Sequence, residues 1–175
     1  TRAIIPADTT APVMVLDIGA KSTDLVISVK DAPRLIRSIS TGTDAIIRAA
    51  MQNLNIEQKQ AEQFVYKFGL AKDKLEGQIY NAVINTVDIL VTETEKSIKF
   101  FQARYPSLKL ERIIVTGGAS SLPEFPLYIA NKFVVAVEIG NARRNISVPA
   151  EKQNELLAVS SQFGVAAGLA ERIEK

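Results

Sequence analysis

The sequence predicts an α/β fold, a mixed β-sheet flanked by helices. Three observations carry that prediction. Apolar, β-branched runs at residues 13–18, 25–30 and 35–40 follow one another through short polar turns, as strands of a meander do. A long helical pattern fills the middle of the chain, and short apolar strands alternate with helices after it. A length of 175 residues suffices for one domain with a real core, or for two small lobes.

Each element has its own signal. Residues 1–12 hold two prolines among Thr and Ala and read as an approach segment with a short strand at 3–5. Turns fall at 19–23 and 31–33. Thr43-Asp44 caps a helix that runs to Leu54, Asn55 caps the next at 56–68, and Gly69 ends it as a C′ residue. Asp73 opens the longest helix, with Glu76 as its capping partner. Leu75, Ile79, Val83, Val87, Leu90, Ile98 and Phe101 recur at helical spacing, so one stripe faces a core until Pro106 stops it. Ile113 to Val115 reads as a buried strand. Gly117-Gly118 then turns the chain into a helix at 123–132, with Pro123 in its first turn and Ser120 or Ser121 as cap. Residues 133–139 read as a strand, 141–154 as a polar irregular stretch, and about 155–173 as the last helix.

Composition narrows the chemistry. The chain is 47% hydrophobic and 23% charged, with a net charge of +2, which gives no reason to expect a nucleic-acid partner. Arg143-Arg144 reads as a surface-loop pair. The sequence holds no cysteine and no histidine, so disulfides, thiol nucleophiles, the usual zinc sites and His-based triads are excluded. Absence of cysteine suits the cytosol. No apolar run reaches the roughly 18 residues that span a bilayer.

Two segments carry candidate chemistry. Asp17-Ile18-Gly19-Ala20-Lys21-Ser22-Thr23 sits between two apolar runs as a hairpin turn. Small residues let backbone amides approach an anion, and an acid beside them suits the water shell of Mg²⁺. Plain turn chemistry explains the same residues, and Lys21 is either a phosphate ligand or a solvated turn tip. In Ile113-Ile114-Val115-Thr116-Gly117-Gly118-Ala119-Ser120-Ser121, the glycine pair leaves room for a base or ribose on the backbone. A tight strand-to-helix turn accounts for it equally.

In this order and spacing the two segments resemble the second phosphate loop and the adenosine loop of the actin-like ATPase superfamily. Phe163-Gly164-Val165-Ala166-Ala167-Gly168-Leu169-Ala170 is similar to that family's small-residue closing helix. Ser40-Thr41-Gly42-Thr43-Asp44-Ala45-Ile46, residues 61–70 and residues 90–101 resemble type IV pilus assembly proteins of the PilM family. The cell-division protein FtsA shares most of these features. The resemblance implies an RNase H-like core formed by residues 1–41 and 75–175, with 42–74 as a small inserted subdomain. It further implies ATP or ADP with Mg²⁺: Asp17 orienting the metal through water, backbone amides of Gly19, Ala20, Lys21 and Ser22 on the β- and γ-phosphates, Gly117 and Gly118 under the adenosine, Ser121 at the base, and Glu62 at the ribose hydroxyls. Two departures stand out. Lys21 replaces a small residue, and Val65 stands where relatives often carry a lysine near the nucleoside.

The family's fold has two similar halves, each with a phosphate hairpin, and this sequence shows one hairpin. The expectation is therefore a second half of a longer protein, which does not hydrolyse ATP by itself. The implied partners are the missing N-terminal half, a PilN-like cytoplasmic tail docking mainly on that half, and a further copy in a homo-oligomer. The implied location is cytoplasmic, peripheral at the inner membrane. A nucleotide-free interaction scaffold of the same fold, motivated by Lys21 and Val65, and an FtsA-like cell-division protein are the competing expectations.

Overall fold

The computed structural model describes residues 1–30, 32–143, 146–147, 151 and 160–171. Its strands are β1 (Val13–Ile18), β2 (Thr23–Val29), β3 (Ala32–Ile39), β4 (Arg112–Gly117) and β5 (Ala136–Ile139). They form one five-stranded sheet in the order β3-β2-β1-β4-β5. The meander β1-β2-β3 is antiparallel, whereas β4 runs parallel to both β1 and β5. The sheet is mixed, as the sequence predicts.

The helices are α1 (Thr43–Leu54), α2 (Gln58–Phe68), α3 (Gln78–Arg104), α4 (Phe125–Phe133) and α5 (Gly164–Ala170). Strands β1 and β4 lie at the centre and are covered on both faces. Met14, Leu16, Ile18, Ile113 and Val115 enter the large core with Leu90, Phe101 and Phe125 of the helices. Val13, Val15 and Ile114 point the other way, into a smaller cluster with Ile4, Ile5 and Ala167. Burial on both faces is why these strands read as continuous apolar runs rather than alternating ones. Ile46, Ile47, Ala50, Ala61 and Val65 of α1 and α2 belong to the large core.

Several boundaries differ from the sequence reading. Residues 3–5 form a turn rather than a strand, because the amides of Ile4 and Ile5 both donate to the Thr1 carbonyl, at 2.9 and 2.8 Å. Asn55 does not cap α2. It ends α1 in the left-handed region (φ 52°) with its amide on Met51 O, and Glu57 precedes α2. Thr43 and Asp44 lie inside α1, whose N-cap is Gly42.

Helix α3 starts at Gln78, not Asp73. Leu75, Glu76 and Gly77 all have positive φ (47°, 53° and 74°), which no helix continues through. Asp73 pairs with Lys74 at 3.0 Å instead of capping. Pro126, rather than Pro123, occupies the first turn of α4. Phe133 closes that helix, and Val134 (φ 52°) turns the chain so that β5 begins only at Ala136. The start expected for the last helix, near Glu155, lies outside the described residues, as does Arg144; α5 covers Gly164–Ala170. Gly69 ends α2 as expected, donating to Val65 O at 2.8 Å.

Candidate functional site: a hairpin facing a glycine loop

The parallel pairing of β1 with β4 sets Ile18 beside Gly117, so the turn after β1 and the turn after β4 leave the same end of the sheet. Contact there is close. A Cβ added to Gly117 would sit 2.4 Å from Ile18 O and 2.6 Å from Asp17 Oδ1, and Gly117 also has φ +80°. Only glycine satisfies both constraints.

The hairpin turn is held from outside. Gly19 N–H donates to Ser22 O at 2.9 Å, which closes one side of the loop. Its reciprocal, Ser22 N–H to Gly19 O, is not formed among the described residues. Gly19 O instead accepts from Thr43 N–H at 3.0 Å, and Ala20 O accepts from Asp44 N–H at 2.9 Å. The first amides of α1 thus bind the hairpin's carbonyls, which satisfies two donors that every helix start leaves open. The close fit requires Gly42, where a Cβ would lie 2.4 Å from Ala20 O. Thr23 Oγ1 donates to Thr41 O at 2.7 Å and ties the far side of the turn to the same segment.

Asp17 is half-buried at the end of β1, directly across from exposed Asp24. Burial pushes its pKa up, and Asp24 adds to the rise. A carboxyl held more tightly protonated in the fold makes its own ionisation destabilising. That cost is absent below the unfolded value and complete above the folded one. Asp17→Asn is therefore expected to raise Tm at neutral pH, with a gain that fades as pH drops below the ordinary carboxylate range. Thermal melts across pH check this, and a gain independent of pH would contradict it.

The remaining predicted residues are placed as follows. Ala20 and Lys21 are exposed at the hairpin tip, and Gly19 and Ser22 are half-buried. Gly118 opens the turn at Gly118–Ser121, where Ser121 Oγ donates to Gly118 O at 2.9 Å and buried Ser120 Oγ to Gly117 O at 2.7 Å. Glu62 is exposed on α2, one turn before Tyr66. The Tyr66 hydroxyl lies 3.4 Å from the place a Cβ on Gly118 would take. Val65, by contrast, is 1% exposed inside the core. On α2, Tyr66 turns its hydroxyl toward Gly118 while Val65 faces the core. Tyr66, Gly42 and Thr43 carry no local signal of a site; their part in it comes from contacts made across the chain.

The Mg²⁺ expectation can be tested on the donor set. Two carboxylates face each other across β1 and β2, and like charges placed so are unfavourable unless a cation joins them. No group of three or more acidic, His or Cys side chains gathers among the described residues. The donors fit a metal that keeps most of its waters, as Mg²⁺ does, and do not fit a protein-caged one.

Known proteins share this fold. The family model described as type IV pilus assembly protein PilM matches residues 2–174. A solved PilM–PilN type IV pilus biogenesis complex is similar with a TM-score of 0.78 and 26% identity, over 93% of this chain and 46% of that one. MreB5 of Spiroplasma citri bound to AMPPNP follows at TM-score 0.69 and 18% identity, over 95% and 54%. Ethanolamine utilization protein EutJ from Carboxydothermus hydrogenoformans is similar at TM-score 0.62 and 17% identity, over 90% and 49%. The latter two show the fold alone, an actin-like one. A search of curated protein sequences found no match. This chain spans about half the length of the structures it resembles. With that fold, and with the family match running almost from end to end, the chain belongs to the type IV pilus assembly protein PilM family.

Proposed function

We propose that this chain is the nucleotide-binding half of a PilM-type protein of the pilus assembly platform. One observation supports the reading above others: α1 draws the hairpin carbonyls of Gly19 and Ala20 toward itself, leaving the amides of Ala20, Lys21 and Ser22 to face a ligand. Amides turned outward beside a carboxylate and a glycine loop suit a phosphate chain, its metal and a nucleoside.

On this reading the amides of Ala20, Lys21 and Ser22 hold the β- and γ-phosphates, and Asp17 orients the waters of Mg²⁺; the Gly19 amide, expected from the sequence to join them, is instead bonded to Ser22 O and shapes the loop. Gly117 and Gly118 lie under the adenosine, Ser121 meets the base, and Glu62 meets the ribose. Mg²⁺ supplies charge neutralisation of the phosphates. Residues 1–41 and 75–175 act as the core subdomain and 42–74 as the small one, with Ile46, Ile47, Ala50, Ala61 and Val65 of the small one packed in the large core. The parent protein is cytoplasmic and peripheral at the inner membrane. It works with a PilN-like tail, in keeping with the PilM–PilN complex it resembles, and with further copies of itself.

Phosphoryl transfer needs charge stabilisation and positioning from all sides, and the geometry described here supplies one wall. Nucleotide therefore serves as a clamp, and no ATP turnover is expected from this chain alone. Turnover that disappears in Asp17→Ala would refute that. The decisive experiment is a Mg-ATP titration of the longer parent protein and of its Asp17→Ala variant, both checked for fold by circular dichroism. Binding lost in the variant supports the clamp. No binding by well-folded parent protein supports the scaffold, with the glycines kept for their turns.

A further inference from the structure

We propose that Thr43 is a positioning residue that holds the two ligand-facing loops in register, through its amide and hydroxyl on the hairpin and its methyl group on the glycine loop. The assignment rests on the nucleotide reading above and adds to it a residue outside both loops.

Thr43 is buried, at the first position of α1. Its N–H and Oγ1 both donate to Gly19 O, at 3.0 and 3.4 Å. On its other side, Cγ2 lies 3.6 Å from where a Cβ on Gly118 would be. One side chain therefore bonds to the loop after β1 and faces the loop after β4.

The hairpin shows the effect of this grip. Two-residue hairpin loops favour primed turns with positive φ. Here neither Ala20 nor Lys21 has positive φ, and the bond that ordinarily closes such a loop, Ser22 N–H to Gly19 O, is replaced by the bond from Thr43. An open helix start would itself attract an anion. At α1 those amides are already taken by Gly19 O and Ala20 O, so the phosphates are directed to the hairpin amides instead.

The two functions of the side chain can be separated in the full-length protein by calorimetric titration with Mg-ATP and with AMP, which lacks the phosphates that the hairpin would hold. Thr43→Val keeps the methyl and loses the hydroxyl. It is expected to weaken ATP about threefold to tenfold and to leave AMP unchanged. Thr43→Ser keeps the hydroxyl and loses the methyl, and is expected to weaken both ligands by the same factor. Circular dichroism and Tm confirm the fold of each variant. If Thr43→Val weakens ATP and AMP equally, or neither, while the wild type binds ATP, the positioning assignment fails alone. If the wild type binds neither ligand, the nucleotide reading fails and takes the assignment with it.

Discussion

Replacing Asp17 by Ala is expected to weaken Mg-ATP binding by the parent protein about 10- to 100-fold, the range found when a residue orienting a metal's shell is removed. Asp17 is the acidic residue that lies against Gly117 and opposite Asp24 at the end of β1. Burial first, and then Asp24, pushes its pKa up, so the fold disfavours its negative charge. The loss should depend on the metal. With EDTA present, wild type and variant should bind ATP with the same weakened affinity, because no metal remains for Asp17 to orient. A loss that persists undiminished in EDTA would mean that Asp17 holds the loop rather than the ion. Removing this carboxylate should also raise fold stability at neutral pH, a trade commonly found where function keeps a group in an unfavourable place.

Gly117→Ala is expected to cost about 2–5 kcal/mol of stability, from left-handed backbone strain together with overpacking. The added Cβ would fall 2.4 Å from a backbone oxygen of Ile18, which cannot rotate away, at φ +80°. Against a total stability of about 5–15 kcal/mol for a typical domain, such a loss should appear as a large fall in Tm or in the urea midpoint. Its neighbour behaves oppositely. At Gly118 the nearest atoms to an added Cβ are the Tyr66 hydroxyl at 3.4 Å and the Thr43 methyl at 3.6 Å, both ordinary contacts. Gly118→Ala should fold with stability within about 0.5 kcal/mol of wild type yet weaken nucleotide binding by filling the surface on which the nucleoside rests. Equal destabilisation by the two substitutions would contradict the packing described here.

What could be read from the sequence was local. The two-face burial of β1 and β4 shows in their unbroken apolar runs. The seam of α3 shows in the spacing of Ile79, Val83, Val87, Leu90, Ile98 and Phe101. Asp17 and the glycines announce themselves because their chemistry lies within a few consecutive residues.

The start of α3 did not show, because tertiary contacts outweigh the capping pair of Asp73 and Glu76. Leu70 N–H is fixed to Pro123 O at 2.9 Å, Lys72 sits over the Tyr80 ring at 4.7 Å, and the chain must turn through Leu75–Gly77 to satisfy both. The strand expected from residue 133 was lost to α4 because apolar residues there suit either element, and Val134 ends the helix instead. Thr43 and Tyr66 were illegible for a different reason. A threonine at a helix start and a tyrosine on a helix face are ordinary, and become part of a site only once the hairpin and glycine loop lie against them.

The parallel ladder that sets Val13 opposite Arg112 joins segments on either side of three helices. The meander β1-β2-β3 pairs neighbours in sequence and is expected to assemble early, whereas β4 must close a long loop before it gains anything. The candidate site straddles that seam, with Asp17 on one bank and Gly117 on the other. It does not exist until the most distant pairing in the sheet is complete, so a ligand there acts as a latch on topology, favouring the finished register over any partly assembled chain. Amide exchange should register this as added protection along β4 and β5 on nucleotide binding, with little change in the β2-β3 hairpin; uniform protection across the sheet would show that the seam is no weaker than the rest.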